Sequence, residues 1–141
     1  MKTLVFLYGV YNMKIKEIKT IKSPKAIGPY SQGILFNNLI FTSGQIPLNP
    51  QTGQLVKNDI HKEIMQVLKN INNILIEGGS SMDNVIKVTV YLTNLNLFST
   101  LNEVFESVFN KYPQPARSTV EVSSLPLGAR VEIEAIGMID E

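Results

Sequence analysis

Between Asp59 and Gly79 the apolar residues of this 141-residue chain stop alternating and recur every three or four positions. Ile60, Ile64, Leu68, Ile71 and Leu75 stand four, four, three and four apart, which aligns them in one stripe of a helix closed by Gly78-Gly79. The period of two then returns. "NVIKVTVYLT" sets Ile86, Val88, Val90 and Leu92 against Lys87, Thr89 and Tyr91, the pattern of a strand. A second helical stripe follows in Leu101, Val104, Phe105, Val108 and Phe109, with Thr100 and Glu103 spaced as a capping box and Pro113 and Pro115 as terminators.

Upstream, "SQGILFNNLIFTSGQI" reads as two strands turning at Asn37-Asn38, because asparagine tolerates positive φ. Downstream, "PARSTVEV" and "VEIEA" alternate again and close the chain, joined by "SSLPLG". With an early lysine-rich strand the order is β-β-β-α-β-α-β-β. This predicts an α+β fold, a mixed sheet of about six strands with both amphipathic helices on one face. The length suits one domain, expected over residues 13–141. The apolar start "MKTLVFLYGVYN", residues 1–12, reads as an extension before a second methionine, Met13, with no small-residue cleavage pattern behind it. Nothing is long enough to cross a membrane. The expected location is the cytoplasm, or an organelle if residues 1–12 belong to a targeting segment.

Composition narrows the chemistry. There is no cysteine, hence no thiolate nucleophile and no cysteine-based zinc site, and one histidine, His61, which lies off the apolar stripe as a surface residue. Catalysis by paired histidines and multi-histidine metal sites are thereby excluded within one chain, and the surface position of His61 argues against a serine–histidine pair. The net charge of +1 gives no field to recruit nucleic acid. Five of the thirteen Lys and Arg residues fall between Met13 and Lys25, but no aromatic side chains interleave them, so they read as solubilising charges on an edge strand.

What remains is arginine, carboxylates, tyrosine, lysine and backbone. The face of the sheet that the helices leave bare is expected to carry Arg117, Thr119, Glu121, Glu132 and Glu134 beside Tyr91, Ile136 and Met138. Such a mixture suits a surface buried against another subunit. If the last two strands pair as a hairpin, Glu132 falls opposite Thr119 or Glu121, with its Cα on the order of 8 Å or more from that of Arg117. An arginine fork clamps a carboxylate, and a shielded glutamate moves protons to or from water and a leaving nitrogen. The same pattern also describes a structural ion pair.

Five segments, "AIGPYSQG", "FTSGQIPLNPQTG", "LNEVFESVF", "PARSTVEV" and "VEIEAIG", resemble in that order, across Ala26 to Gly137, the reactive-intermediate deaminase family, also called YjgF or Rid. The resemblance implies a chorismate-mutase-like fold and a homotrimer with sites where subunits meet. It implies cofactor-independent hydrolysis of 2-imino acids such as 2-iminobutanoate and 2-iminopropanoate to 2-keto acids and ammonia. Arg117 is similar to the arginine that clamps the substrate carboxylate, and Glu132 to the residue that orients the hydrolytic water. Tyr30, Ser43, Gly44 and Asn102 correspond to pocket positions. Thr119 stands where many members carry cysteine, which removes a thiol there and leaves the arginine–glutamate pair. Individually, Ser43-Gly44 also fits a strand bulge, and Asn102 also fits a helix-border amide. A trimer that binds 2-keto acids without turnover is the alternative, and a ribonuclease or translation inhibitor, an older label of the family, a third.

Overall fold

The computed structural model describes residues 14–140, so the expected extension at residues 1–12 lies outside the described residues. Six strands form one sheet: β1 (Ile15–Ile18), β2 (Gly33–Phe36), β3 (Leu39–Thr42), β4 (Val85–Leu92), β5 (Ala116–Glu121) and β6 (Val131–Met138). They lie in the order β1-β2-β3-β6-β4-β5, antiparallel throughout except for the parallel β4–β5 pair. Two helices, α1 (Ile60–Glu77) and α2 (Phe98–Val108), cover one face. The expected α+β order and two-helix layer are both present. Among the described residues no helix is long and apolar enough to cross a membrane.

Helix α1 starts where Asp59, in extended conformation, accepts the Lys62 amide on its side chain. Its stripe is the centre of the core. Ile64, Val67, Ile71, Ile74 and Leu75 are fully buried against Ile40, Val88, Val90, Val131 and Ile133 of the sheet, and each such side chain stabilises the fold by about 1.5–3 kcal/mol. Gly78 ends the helix where a Cβ would stand 2.5 Å from Ile40 and 2.6 Å from Ile18. The β2–β3 turn falls at Asn37, whose φ of 54° is the left-handed conformation that the sequence suggested.

Three local expectations are corrected. Helix α2 begins at Phe98, behind a 3₁₀ turn whose leading residue, Asn94, accepts the Asn96 amide, so Thr100 sits inside the helix and forms no capping box with Glu103. The helix also stops at Val108, ahead of the prolines. In β4 a register shift between Val85 and Lys87 buries Val85 and turns Ile86 outward, against the simple alternation.

The fourth correction changes the site. β5 and β6 do not pair; β4 runs between them. β4, α2 and β5 form a crossover unit whose strands are parallel, and the chain then passes over the end of β4 to add β6 on its far side. Residues 122–130 make that passage, longer than the two to five residues usual in a hairpin loop. Arg117 and Thr119 therefore face Val88 and Val90, on the side of the sheet that carries the helices. Glu132 and Glu134 face Tyr91 and Thr89 on the open side. Within one chain the expected arginine–glutamate pair is divided between opposite faces.

Candidate active site

The arginine half of the site sits where β5, an edge strand, passes α2. Arg117 Nη2 donates to Asn102 Oδ1 at 2.8 Å. Its guanidinium carbon lies 5.2 Å from the ring centroids of both Phe98 and Phe105. Two aromatic faces and an amide thus hold the cation in one place while leaving other N–H groups of the fork unused among the described residues. Asn102, Phe105, Glu106, Phe109, Gln114, Pro115 and Arg117 line a hollow of about 360 Å³. Two residues along β5, on the same face, the Thr119 hydroxyl oxygen is buried with no hydrogen-bond partner among the described residues.

The glutamate half lies on the open face, at a bulge. Phe41 faces Ile136 and Gln45 faces Ile133, so Thr42, Ser43 and Gly44 span the stretch opposite Glu134 and Ala135. The extra residue leaves the Ala135 amide without a backbone acceptor, and Thr42 Oγ1 takes it at 3.0 Å. The bulge brings bare backbone beneath Glu132. A Cβ on Gly44 would stand 2.0 Å from Glu132 Oε1, so only glycine admits the carboxylate there.

Tyr30 reaches the same hollow from the long β1–β2 connection. The Ile27 amide donates to its hydroxyl at 3.3 Å, and its own amide donates to Gly28 O at 2.9 Å. Buried Gln32 ties this connection down: Oε1 accepts the Thr20 amide, and Nε2 donates to the carbonyls of Thr20, Ser23 and Pro24. Ile27, Tyr30, Thr42, Ser43, Gly44, Ile46, Pro126, Glu132 and Glu134 line a hollow of about 490 Å³. Burial raises the Glu132 carboxyl above its usual range, and the neighbouring charge of Glu134 adds to the effect.

Each expected side chain therefore falls in one of two groups: Arg117, Asn102 and Thr119 on the helix side, and Tyr30, Ser43, Gly44 and Glu132 on the open side. Sequence reading missed Phe98 and Phe105 as flanks of the arginine, and Gln32 and Thr42 as supports. Phe105 falls within the apolar stripe of α2, which hides a second role, and Phe98 carries no signal beyond its spacing of four from Asn102.

A family model described as Endoribonuclease L-PSP matches residues 20–139. The chain belongs to that family, the YjgF/Rid family. Among its YjgF/Rid relatives, a RutC family protein of Pyrococcus abyssi is 51% identical over 119 residues, which are 84% of this chain and 93% of the relative. The 2-iminobutanoate/2-iminopropanoate deaminase of Homo sapiens is 46% identical over 121 residues, 86% of this chain and 88% of the relative. The crystal structure of E. coli TdcF with bound serine superposes with a TM-score of 0.83 at 42% identity, covering 89% of this chain and 99% of that one.

Proposed function

We propose that the protein hydrolyses 2-imino acids, such as 2-iminobutanoate and 2-iminopropanoate, to 2-keto acids and ammonia without a cofactor, as a homotrimer in which Arg117 of one protomer completes the Glu132 hollow of the next. The observation that carries the proposal is the division of the two reactive side chains between faces. Each half is ordered and neither suffices alone. A two-fold dimer uses one and the same surface of both partners, so an arginine half and a glutamate half on opposite faces of the sheet do not both fall within it, whereas a head-to-tail ring joins one face to the other. The open sheet face supplies the means of assembly, since Ile34, Phe36, Leu39, Phe41, Ile136 and Met138 lie together on it with no helix to cover them.

In this arrangement the substrate carboxylate lies on the Arg117 fork, which Asn102 and the two phenyl rings keep pointed. The Thr119 hydroxyl is free to bond a polar substrate atom. The imine carbon then stands over the Gly44 bulge beside Glu132. With the substrate as the protonated imine, Glu132 takes a proton from water as the oxygen attacks that carbon, giving a neutral carbinolamine; it returns that proton to the nitrogen, and as the carbon–nitrogen bond breaks it accepts the hydroxyl proton and passes it to solvent. Water adds to the imine and ammonia departs, leaving the keto acid. A carboxyl held above the usual carboxylate range suits these proton transfers near neutral pH. Imines hydrolyse unaided in water, so orientation and proton handling are the whole demand. Support for the substrate class comes from relatives named as imino-acid deaminases and from the small amino acid held by TdcF. His61, the one histidine, is exposed on the first turn of α1 and lines neither hollow.

Keto-acid release from an imine generated in situ by a pyridoxal-phosphate dehydratase tests the reading. The wild type should accelerate it, Arg117→Ala should lose about 10–100-fold in kcat/KM or more, and Glu132→Gln should lose turnover while keeping affinity for a keto acid. Full activity in Arg117→Ala would reject the clamp, and binding with no turnover in the wild type would leave a sensor of keto acids.

A further inference from the structure

Beyond Arg117 and Glu132, a second carboxylate reaches the same hollow. Glu134 follows Glu132 by two residues on β6, so both project to the open side. Across the sheet Tyr91 stands opposite Glu132 in register, yet its hydroxyl leans one pair along and donates to Glu134 Oε1 at 2.7 Å. The hydrogen bond crosses between strands and fixes the carboxylate, with its negative charge, beside the residue that must gain and lose a proton.

Among the described residues of one protomer the surrounding charges leave this pair alone with each other, and in the proposed assembly the neighbour's Arg117 enters with its fork occupied by the substrate carboxylate. Lys87, on the same face of β4, donates to Ser118 Oγ of β5 at 2.9 Å, away from β6. Arg130, just ahead of β6, is bound through Nε and Nη2 to the buried Glu63 of α1 at 3.1 and 2.6 Å. The bulge contributes Ser43 and Gly44, the β1–β2 connection contributes Tyr30, and the turn after β5 contributes Pro126, none of them charged.

We propose that Glu134, pinned by the Tyr91 hydroxyl, is a positioning residue for the deamination: a fixed anion that makes Glu132 the proton carrier of the site. The proposal rests on the imino-acid reading above and adds a residue to it. Direction supports it on both partners. Burial first and Glu134 second raise the Glu132 carboxyl, and the Glu134 hydrogen bond, ahead of burial and the charges of Glu134 and Glu132, raises the Tyr91 phenol, which keeps it a donor. Two acids in unlike surroundings divide the roles of proton carrier and fixed charge.

The experiment compares wild type, Glu134→Gln, Glu134→Asp and Tyr91→Phe, each first shown folded and assembled by circular dichroism and sedimentation. Activity as a base makes kcat/KM rise with pH through the titration of Glu132. Removing the neighbouring anion should move that acid limb to lower pH and lower kcat several-fold at neutral pH with KM little changed. Glu134→Asp should recover part of both, and Tyr91→Phe should shift the limb less than Glu134→Gln. Carbon-13 NMR titration of the Glu132 carboxyl, with no substrate present, should show the same downward movement. An unmoved Glu132 titration and limb in Glu134→Gln, with the wild type active, would overturn the role of Glu134. A wild type inactive toward imino acids, with the Glu132 titration still displaced by the variant, would instead overturn the imino-acid reading.

Discussion

At position 44 the space that a side chain would fill is occupied by a carboxylate, and this contact joins two distant parts of the sequence into one site. Gly44→Ala must push Glu132 aside or open the bulge. A displacement of about an ångström costs roughly 100-fold in rate when geometry governs the reaction. The variant is therefore expected to keep its fold and its affinity for a keto acid while kcat falls by about that factor, measured by steady-state kinetics and ligand titration. Glu132 carries a second consequence at this scale. Its carboxyl is raised by burial and by Glu134, so its contribution to stability is complete below the unfolded-state pKa and is lost as pH rises through the higher folded value. Replacement by the neutral Glu132→Gln removes that loss. Its melting temperature should exceed that of wild type at about pH 8 and approach it at about pH 3, where the native carboxyl is neutral in both states. A difference of the opposite sign near pH 8 would show that the ion is stabilised in the fold.

The elements were legible in proportion to how local their causes are. α1 could be placed to within a residue or two because its stripe, its Asp59 cap and its glycine end are all written within twenty positions. The strand faces were another matter. A period of two divides Arg117, Thr119 and Glu121 from Ala116, Ser118 and Val120, but it does not state which set meets the helices. Burial gives no warning either, since β5 is an edge strand and both sets stay partly exposed. The length of the loop over residues 122–130 was the available sign that β5 and β6 are not a hairpin. Side chains that hold elements together were equally hidden, because a buried glutamine looks like a surface one in sequence. Gln32→Ala leaves the Thr20 amide and three carbonyls without their partners, and unfolding by urea should show a loss of about 2 kcal/mol. A loss below about 0.5 kcal/mol would mean that the β1–β2 connection holds Tyr30 by packing alone.

For the molecule as a whole, the sheet with helices on one face has two sides of different character, and the residues proposed to carry the reaction follow that division. The sequence motifs named both members of the pair and their chemical types. They could not show that the two belong to opposite faces, because strand order depends on contacts among β4, β5 and β6 that no short stretch contains. Subunit complementation tests the shared site most directly. Arg117→Ala and Glu132→Gln, each inactive alone, are denatured, mixed in equal amounts and refolded together, and imine hydrolysis is compared with that of each variant refolded separately. In a head-to-tail ring about a quarter of all sites in the refolded mixture unite an intact arginine half with an intact glutamate half, so activity should return to roughly that fraction of wild type. No recovery from trimers shown by mass spectrometry to be mixed would contradict a site shared between protomers.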